Sequence, residues 1–234
     1  IVTIIGILLS VTLITALATL VVSFQKSLID YEKNRNGNFH YAFSKVPKED
    51  LGKFENNRNI ESVYLTREIG YAKIDEIQNK DKPYAYVLAY DFDAIDNLGM
   101  NLLEGRKPKT SKEIVIPKHL QTNGRVRYKV GDTITLTIGT RQIEGENLDQ
   151  FNPYQQEELF IGMHEMEYTI VGIMERPGYR LEDFSSPGYT FITCLDKEES
   201  GNYNVYVRYT KKGLKNIDYV IADILGVDRD IYYK

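Results

Sequence analysis

"IVTIIGILLSVTLITALATLVV", residues 1–22, contains no Asp, Glu, Lys or Arg, and the first charge in the chain is Lys26. As a helix rising ~1.5 Å per residue, this stretch reaches roughly 33 Å, about one hydrocarbon core. A secretory signal has a shorter apolar run, a basic stretch before it and a small-residue cleavage site after it. A buried core helix stops after fewer apolar residues and shows a polar stripe. Here the polar residues are Thr3, Ser10, Thr12, Thr15 and Thr19, all tolerated by helices in lipid. The stretch therefore reads as a membrane-spanning helix. Its first residue is not Met, which implies cytoplasmic residues upstream and leaves orientation without its positive-inside evidence.

Working outward, "SFQKSLIDYEKNRNG" (23–37) places Phe24, Leu28 and Tyr31 at helical spacing, and Asn36-Gly37 supplies a stop. Two readings stand: a stalk of about three turns continuous with the membrane helix, or a short amphipathic helix lying on the domain. The remaining residues hold enough sequence for one large domain or two small ones. With 29 basic and 33 acidic residues the chain is slightly acidic, which argues against nucleic acid as its main partner. The one cysteine, Cys194 in "GYTFITCLD", forms no internal disulfide and reads as a buried strand residue.

From Asn38 the hydrophobic period changes to two. "NFHYAFSKV" predicts a strand with Phe39, Tyr41 and Phe43 on one face. "PKEDLGKFENN" predicts a helix opened by Pro47 and packed through Leu51 and Phe54. "IESVYLTREIGYAKI" and "PYAYVLAYDF" follow as strands, and "DAIDNLG" as a capped turn of helix ending at Gly99. The middle of the chain is mostly sheet: a strand in "EIVIP", a brief helix in "PKHLQTNG", and a strand in "KVGDTITLTIG" with Ile134, Leu136 and Ile138 alternating. The polar segment "TRQIEGENLDQFNPYQQEELFIG" reads as a hairpin extension or a loose tip. Its acids, among them Glu144, Glu146, Asp149, Glu157 and Glu158, read as solubilising. "HEMEYTIVGIME" is the next strand, and "RPGYRLEDFSSPGY" a loop leading to the Cys194 strand. "NYNVYVRYT" predicts a strand with Tyr203, Val205, Val207 and Tyr209 inward. "GLKNIDYVIADIL" predicts one helix with Leu214, Ile217, Val220, Ile221 and Leu225 on its apolar face. The fold class is α+β.

The chemistry-bearing motifs are negative. There is no G-x-x-x-x-G-K-[ST] phosphate loop and no G-x-S-x-G elbow, and "HEMEY" lacks the second His of a zinc helix. His40 and His119 have no metal-ligand spacing around them, and no cofactor is implied. A local basic zone, Arg106, Lys107, Lys109, Lys112, Arg125, Arg127 and Lys129, surrounds the "EIVIP" strand. It reads as a solvated rim or, alternatively, as a contact for lipid head groups or an acidic partner. In the membrane helix, Gly6 and Ser10 have the small-xxx-small spacing that lets a second helix approach.

Taken in order, "IVTIIGILLSVTLITALATLVVSFQ", "GNFHYAFSKVP", "LLEGRKPKTSKEIVIP", "KVGDTITLTIG" and "YTIVGIMERPGY" resemble the first membrane helix and extracytoplasmic domain of FtsX-like, MacB-type ABC transporter permeases. The resemblance implies that residues 1–234 are the front of a longer permease, followed by further membrane helices. It also implies a cell-membrane location with the chain extracytoplasmic after about residue 24. The partners it implies are a separate cytoplasmic ATPase subunit, a second permease copy or paralogue forming a dimer, and the lipid bilayer. The chain itself would not be an enzyme. ATP hydrolysis would be coupled along the helices to work outside the membrane, on cargo such as peptides or lipoproteins; no residue here selects among them. The family pattern divides the chain into helix and stalk (1–36), a β-α-β porter-like part (38–100 and 200–234) and a β-rich inserted part (101–199). Two other readings share the same opening: a type IV pilin-like structural subunit, although residues 1–22 lack the glutamate such helices carry, and a single-pass extracellular sensor or binding module.

Overall fold

The computed structural model describes residues 2–92 and 99–226. The turn expected in "DAIDNLG" lies, apart from Gly99, outside them. Helix α1 (Val2–Asn36) is a single unbroken element with no buried residue. Its 35 residues span about 52 Å, so a hydrocarbon core of ~30 Å leaves several turns beyond it. Phe24 and Leu28 remain exposed at 61% and 49%, so the helix stands clear of the domain instead of lying on it. Among the described residues, α1 is the one helix long and apolar enough to cross a membrane.

The domain is built on ten strands: β1 (Tyr41–Pro47), β2 (Ile60–Lys73), β3 (Tyr84–Tyr90), β4 (Leu102–Gly105), β5 (Glu113–Pro117), β6 (Thr133–Ile143), β7 (Glu146–Leu148), β8 (Leu159–Met174), β9 (Gly188–Cys194) and β10 (Asn202–Tyr209). They pair in the order β1-β10-β2-β3-β9-β5-β8-β6-β7, with β4 on β8. A further pairing, Tyr71 with Gly139 and Ala72 with Ile138, joins β2 back to β6. Strands β2, β3, β9, β5, β8 and β6 therefore close into a ring. Closure rests on two glycines. Gly70 takes φ +140° at a bulge in β2, and a Cβ there would lie 2.7 Å from the Gly139 carbonyl oxygen.

Alternation along the strands fills three apolar layers. Ile114, Ile116, Ile134, Leu136, Ile138, Tyr168, Ile170 and Phe191 fill the ring. On the β1-β10-β2 extension, Phe43, Leu65, Tyr203, Val205, Val207 and Tyr209 face two helical pieces. These are α2 (Gly52–Glu55), which supplies Phe54, and α5 (Ile217–Leu225), which supplies Val220, Ile221 and Ile224. The opposite face is lined by tyrosines 64, 71, 84, 86 and 90 with Val115, Val171 and Ile192, and loops cover it. Strand β3 is buried on both faces, and the brief helix after β5, α3 (His119–Thr122), buries Leu120.

Several expectations need correction. Phe39 does not share a face with Tyr41 and Phe43. It precedes β1 and packs edge-on against Tyr206, 4.8 Å between ring centres, on the tyrosine face. The closing helix is two helices: α4 (Lys211–Lys215), capped by Thr210 accepting from Gly213 N–H at 3.0 Å, and α5. The break at Asn216 turns Leu214 and Leu225 out to solvent, 42% and 49% exposed. Cys194 ends β9 half-buried instead of sitting within the core. The long polar segment extends the β6–β8 hairpin, with β7 turning back through Glu144 and Gly145, both at positive φ.

Candidate functional site

The last turn of α1 meets the domain on its tyrosine face. Gly37, at φ +95°, ends the helix and donates its N–H to the Lys33 carbonyl at 2.9 Å. Two residues on, the Arg35 carbonyl is wedged between two loops. A Cβ on Gly99 (φ +72°) would lie 2.7 Å from the Arg35 oxygen, and one on Gly178 would lie 2.5 Å from it and against Asn36 Oδ1. Asn36 donates to Glu32 at 2.6 Å, while its Oδ1 is buried with no partner among the described residues. Only glycine lets backbone approach backbone this closely. A cleft of about 230 Å³ beside the joint is lined by Tyr31, Arg35, Met100, Glu175 and Leu181.

Two buried ion networks hold the covering loops. Arg141, with no exposed surface, donates to both oxygens of Glu158 at 2.9 and 2.7 Å and to the carbonyls of Asp149, Asn152 and Pro153. Its guanidinium lies 5.2 and 5.6 Å from the rings of Tyr71 and Tyr84. Glu158 was expected to be solubilising; it is buried because it neutralises this arginine. The second network centres on Glu182, in the loop after β8. It accepts from His119 at 2.6 Å, Lys82 at 3.0 Å and the Thr190 N–H at 2.8 Å, with Arg176 at 3.6 Å. Burial alone would raise its pKa. The hydrogen bond and charge of His119, the charge of Lys82 and the Thr190 N–H together hold it down at about 2. The same burial pushes the Lys82 ammonium below its usual range, against the pull of Glu182.

Between these loops and the sheet lies a larger cleft of about 510 Å³, walled by Phe39, Tyr86, Tyr90, Phe151, Tyr179 and Tyr206. It shares Asn36 and Leu181 with the surroundings of the joint.

The family model of the MacB-like periplasmic core domain matches residues 1–217. The chain belongs to this family. No curated protein matches it significantly. Among solved structures, a domain assigned to a permease of Porphyromonas gingivalis is similar at 14% identity and TM-score 0.43, covering 78% of this chain and 70% of its own. The extracellular domain of the noncanonic ABC-type transporter YknZ from Gram-positive bacteria is similar at 8% identity and TM-score 0.46, over 79% and 87%.

In this MacB-like domain the residues singled out by sequence do not converge on one site. Gly6 and Ser10 lie on the exposed helix, Ser10 Oγ donating to the Gly6 carbonyl at 2.8 Å, and a Cβ at Gly6 would meet nothing. Arg106 is committed to a bidentate pair with Glu113 at 2.6 and 2.7 Å. That pair, with the Lys109 N–H, holds the Glu113 pKa at about 2. Lys107 is half-buried; Lys109, Lys112, Arg125, Arg127 and Lys129 are exposed. Lys112 and Arg106 meet β8 through their backbones, at Thr169 and Val171. His40 accepts from the Tyr209 N–H at 2.9 Å, a structural role. Sequence reading missed the joint glycines, Arg141, Glu158 and Glu182. Their partners are distant in sequence, and only an arginine beyond an apolar strand pattern hinted at any of them.

Proposed function

We propose that the chain is the front of an ABC transporter permease subunit that carries ATP-driven motion from the cytoplasm to a domain outside the membrane. Helix α1 is the first membrane span, and residues after about 24 are extracytoplasmic. A separate cytoplasmic subunit hydrolyses ATP, and the permease works as a dimer in which Gly6 and Ser10 face a neighbouring helix. Within the domain, residues 38–100 with 200–234 form the porter-like part and 101–199 the inserted part. The basic zone around β5 is its contact with lipid head groups or an acidic partner. The observation that supports the reading is α1 itself: one continuous helix whose Arg35 carbonyl packs against Gly99 and Gly178, a contact through which movement of the helix would reach the domain. Family membership supports the permease over a pilin subunit.

The test is purification of the protein from gently solubilised membranes, with mass spectrometry and an ATPase assay of what accompanies it. A stoichiometric P-loop ATPase is expected. An intact, well-expressed preparation that brings down none would overturn the proposal.

A further inference from the structure

The tyrosine-walled cleft carries an unbalanced set of polar groups. Its floor is four neighbouring strands, β1, β10, β2 and β3, and its roof is the two loops at Gln150–Phe151 and Tyr179–Asp183. Gln150 is only 3% exposed. Its Nε2 donates to the Gly188 carbonyl at 2.7 Å, and its Oε1 has no partner among the described residues. Glu68 enters from β2 near Tyr86, with a long 3.4 Å contact from Asn204, and among the described residues no Lys or Arg lies at ion-pair distance from it. The wall carries two further charges, of opposite sign. Arg180 lies over the Phe39 ring at 5.9 Å, at the stalk end, and Asp183 accepts from Ser185 and Ser186. Glu68 thus stands among aromatic faces at the opposite side of the cleft floor from its roof loops, an acceptor without a cation of its own among the described residues. Phe151 and Tyr179 add apolar surface at the rim, 55% and 54% exposed.

We propose that this cleft binds a short peptide segment carrying a basic side chain next to an apolar one. The ammonium or guanidinium meets Glu68, and the tyrosine rings take its cationic and apolar surfaces. A volume of about 510 Å³ exceeds a single side chain and suits a segment of a few residues. The inference does not rest on the transport reading, since peptide binding needs no ATPase.

The chain contains no Trp, so Phe151→Trp places one reporter at the rim. With the chain held in lipid nanodiscs, its emission is followed during titration with acetyl-Leu-Lys-Leu-amide, acetyl-Leu-Gln-Leu-amide and acetyl-Leu-Glu-Leu-amide. The lysine peptide should bind saturably, the glutamine peptide about tenfold more weakly, and the glutamate peptide not measurably. Glu68→Gln should bring the lysine peptide down to the affinity of the glutamine peptide without moving the unfolding midpoint, because Glu68 is exposed. Calorimetry on the chain with Phe151 retained checks the order independently of the reporter. Equal binding of the three peptides, no binding by both methods, or a lysine preference that survives Glu68→Gln would each overturn the proposal. So would lysine amide alone binding as tightly as the tripeptide.

Discussion

Glu182 has a fully buried side chain and four polar partners, three of them cationic or capable of becoming so. Replacing it with Gln leaves Lys82, itself 6% exposed, without its counter-charge, and removing one partner of such a network costs about 3–5 kcal/mol. Urea unfolding of Glu182→Gln should show a loss of that size; a change below about 1 kcal/mol would mean solvent reaches the cluster. The pH dependence has a definite sign. The carboxyl titrates near 2 when folded and near ~4.3 when unfolded, so its stabilisation is full above the unfolded value and disappears as pH falls from there through 2. At about 1.4 kcal/mol per unit the amount is about 3 kcal/mol. Wild-type stability should therefore fall more steeply than that of Glu182→Gln between about pH 4.5 and 2, and parallel curves would refute the assignment. Nothing near Glu182 or Glu158 in the sequence separates them from solvated acids. Lys82 and His119 lie far away along the chain, and Arg141 stands beyond a bulge at Gly139 that alternation does not foresee.

Individual strands were legible because period-two alternation reports one buried face, as in β6 and β10, and Tyr203, Val205, Val207 and Tyr209 all face the core. Ring closure was not, because it depends on Gly70 and Gly139 letting β2 and β6 cross, and a strand glycine has several uses. Phe39 was misplaced for a related reason: alternation was extended two residues past the true start of β1, where the chain is still turning out of the helix. At Gly139 an added Cβ would collide with the Ile161 carbonyl across the β6–β8 bulge. Gly139→Ala should thus force β6 off β8 at this bulge and disturb the β2 contact that Gly139 makes on its other side, so hydrogen exchange should quicken at Tyr71, Ala72 and Ile138 while the β1–β10 amides keep their protection. Gly52→Ala is the control, since its Cβ meets only Asn56 at an ordinary 3.5 Å and α2 gains a better helix former. Unchanged exchange at the β2–β6 contact in Gly139→Ala would show that the ring has slack.

For the molecule as a whole, the opening apolar stretch and its continuation could be read directly, but whether the helix is coupled to the domain could not, since coupling resides in loops remote from it. A helix that merely emerged from the membrane beside a globular domain would swing about Gly37. Here the Arg35 carbonyl is flanked by Gly99 and Gly178, and Phe39 is pinned between Tyr206 and Arg180, so the swing is opposed from both sides. A methyl at Gly178 must push the helix end away by the width of a clash with backbone, which has no rotamer to give. The measurement is the spin-label distance between Lys26→Cys on the stalk and Lys112→Cys just before β5. Cys194→Ser removes the native thiol, and labelled chains are diluted with unlabelled ones to exclude pairs between copies. The parent should give one narrow distribution, and Gly178→Ala a shifted or broadened one with the domain's unfolding midpoint nearly kept. Gly6→Leu, far from the joint and open around its Cβ, should leave the distance untouched while weakening association between copies. If Gly178→Ala reproduced the parent distribution, the glycine seat would not fix the helix, and motion at the membrane would reach the sheet by some other contact.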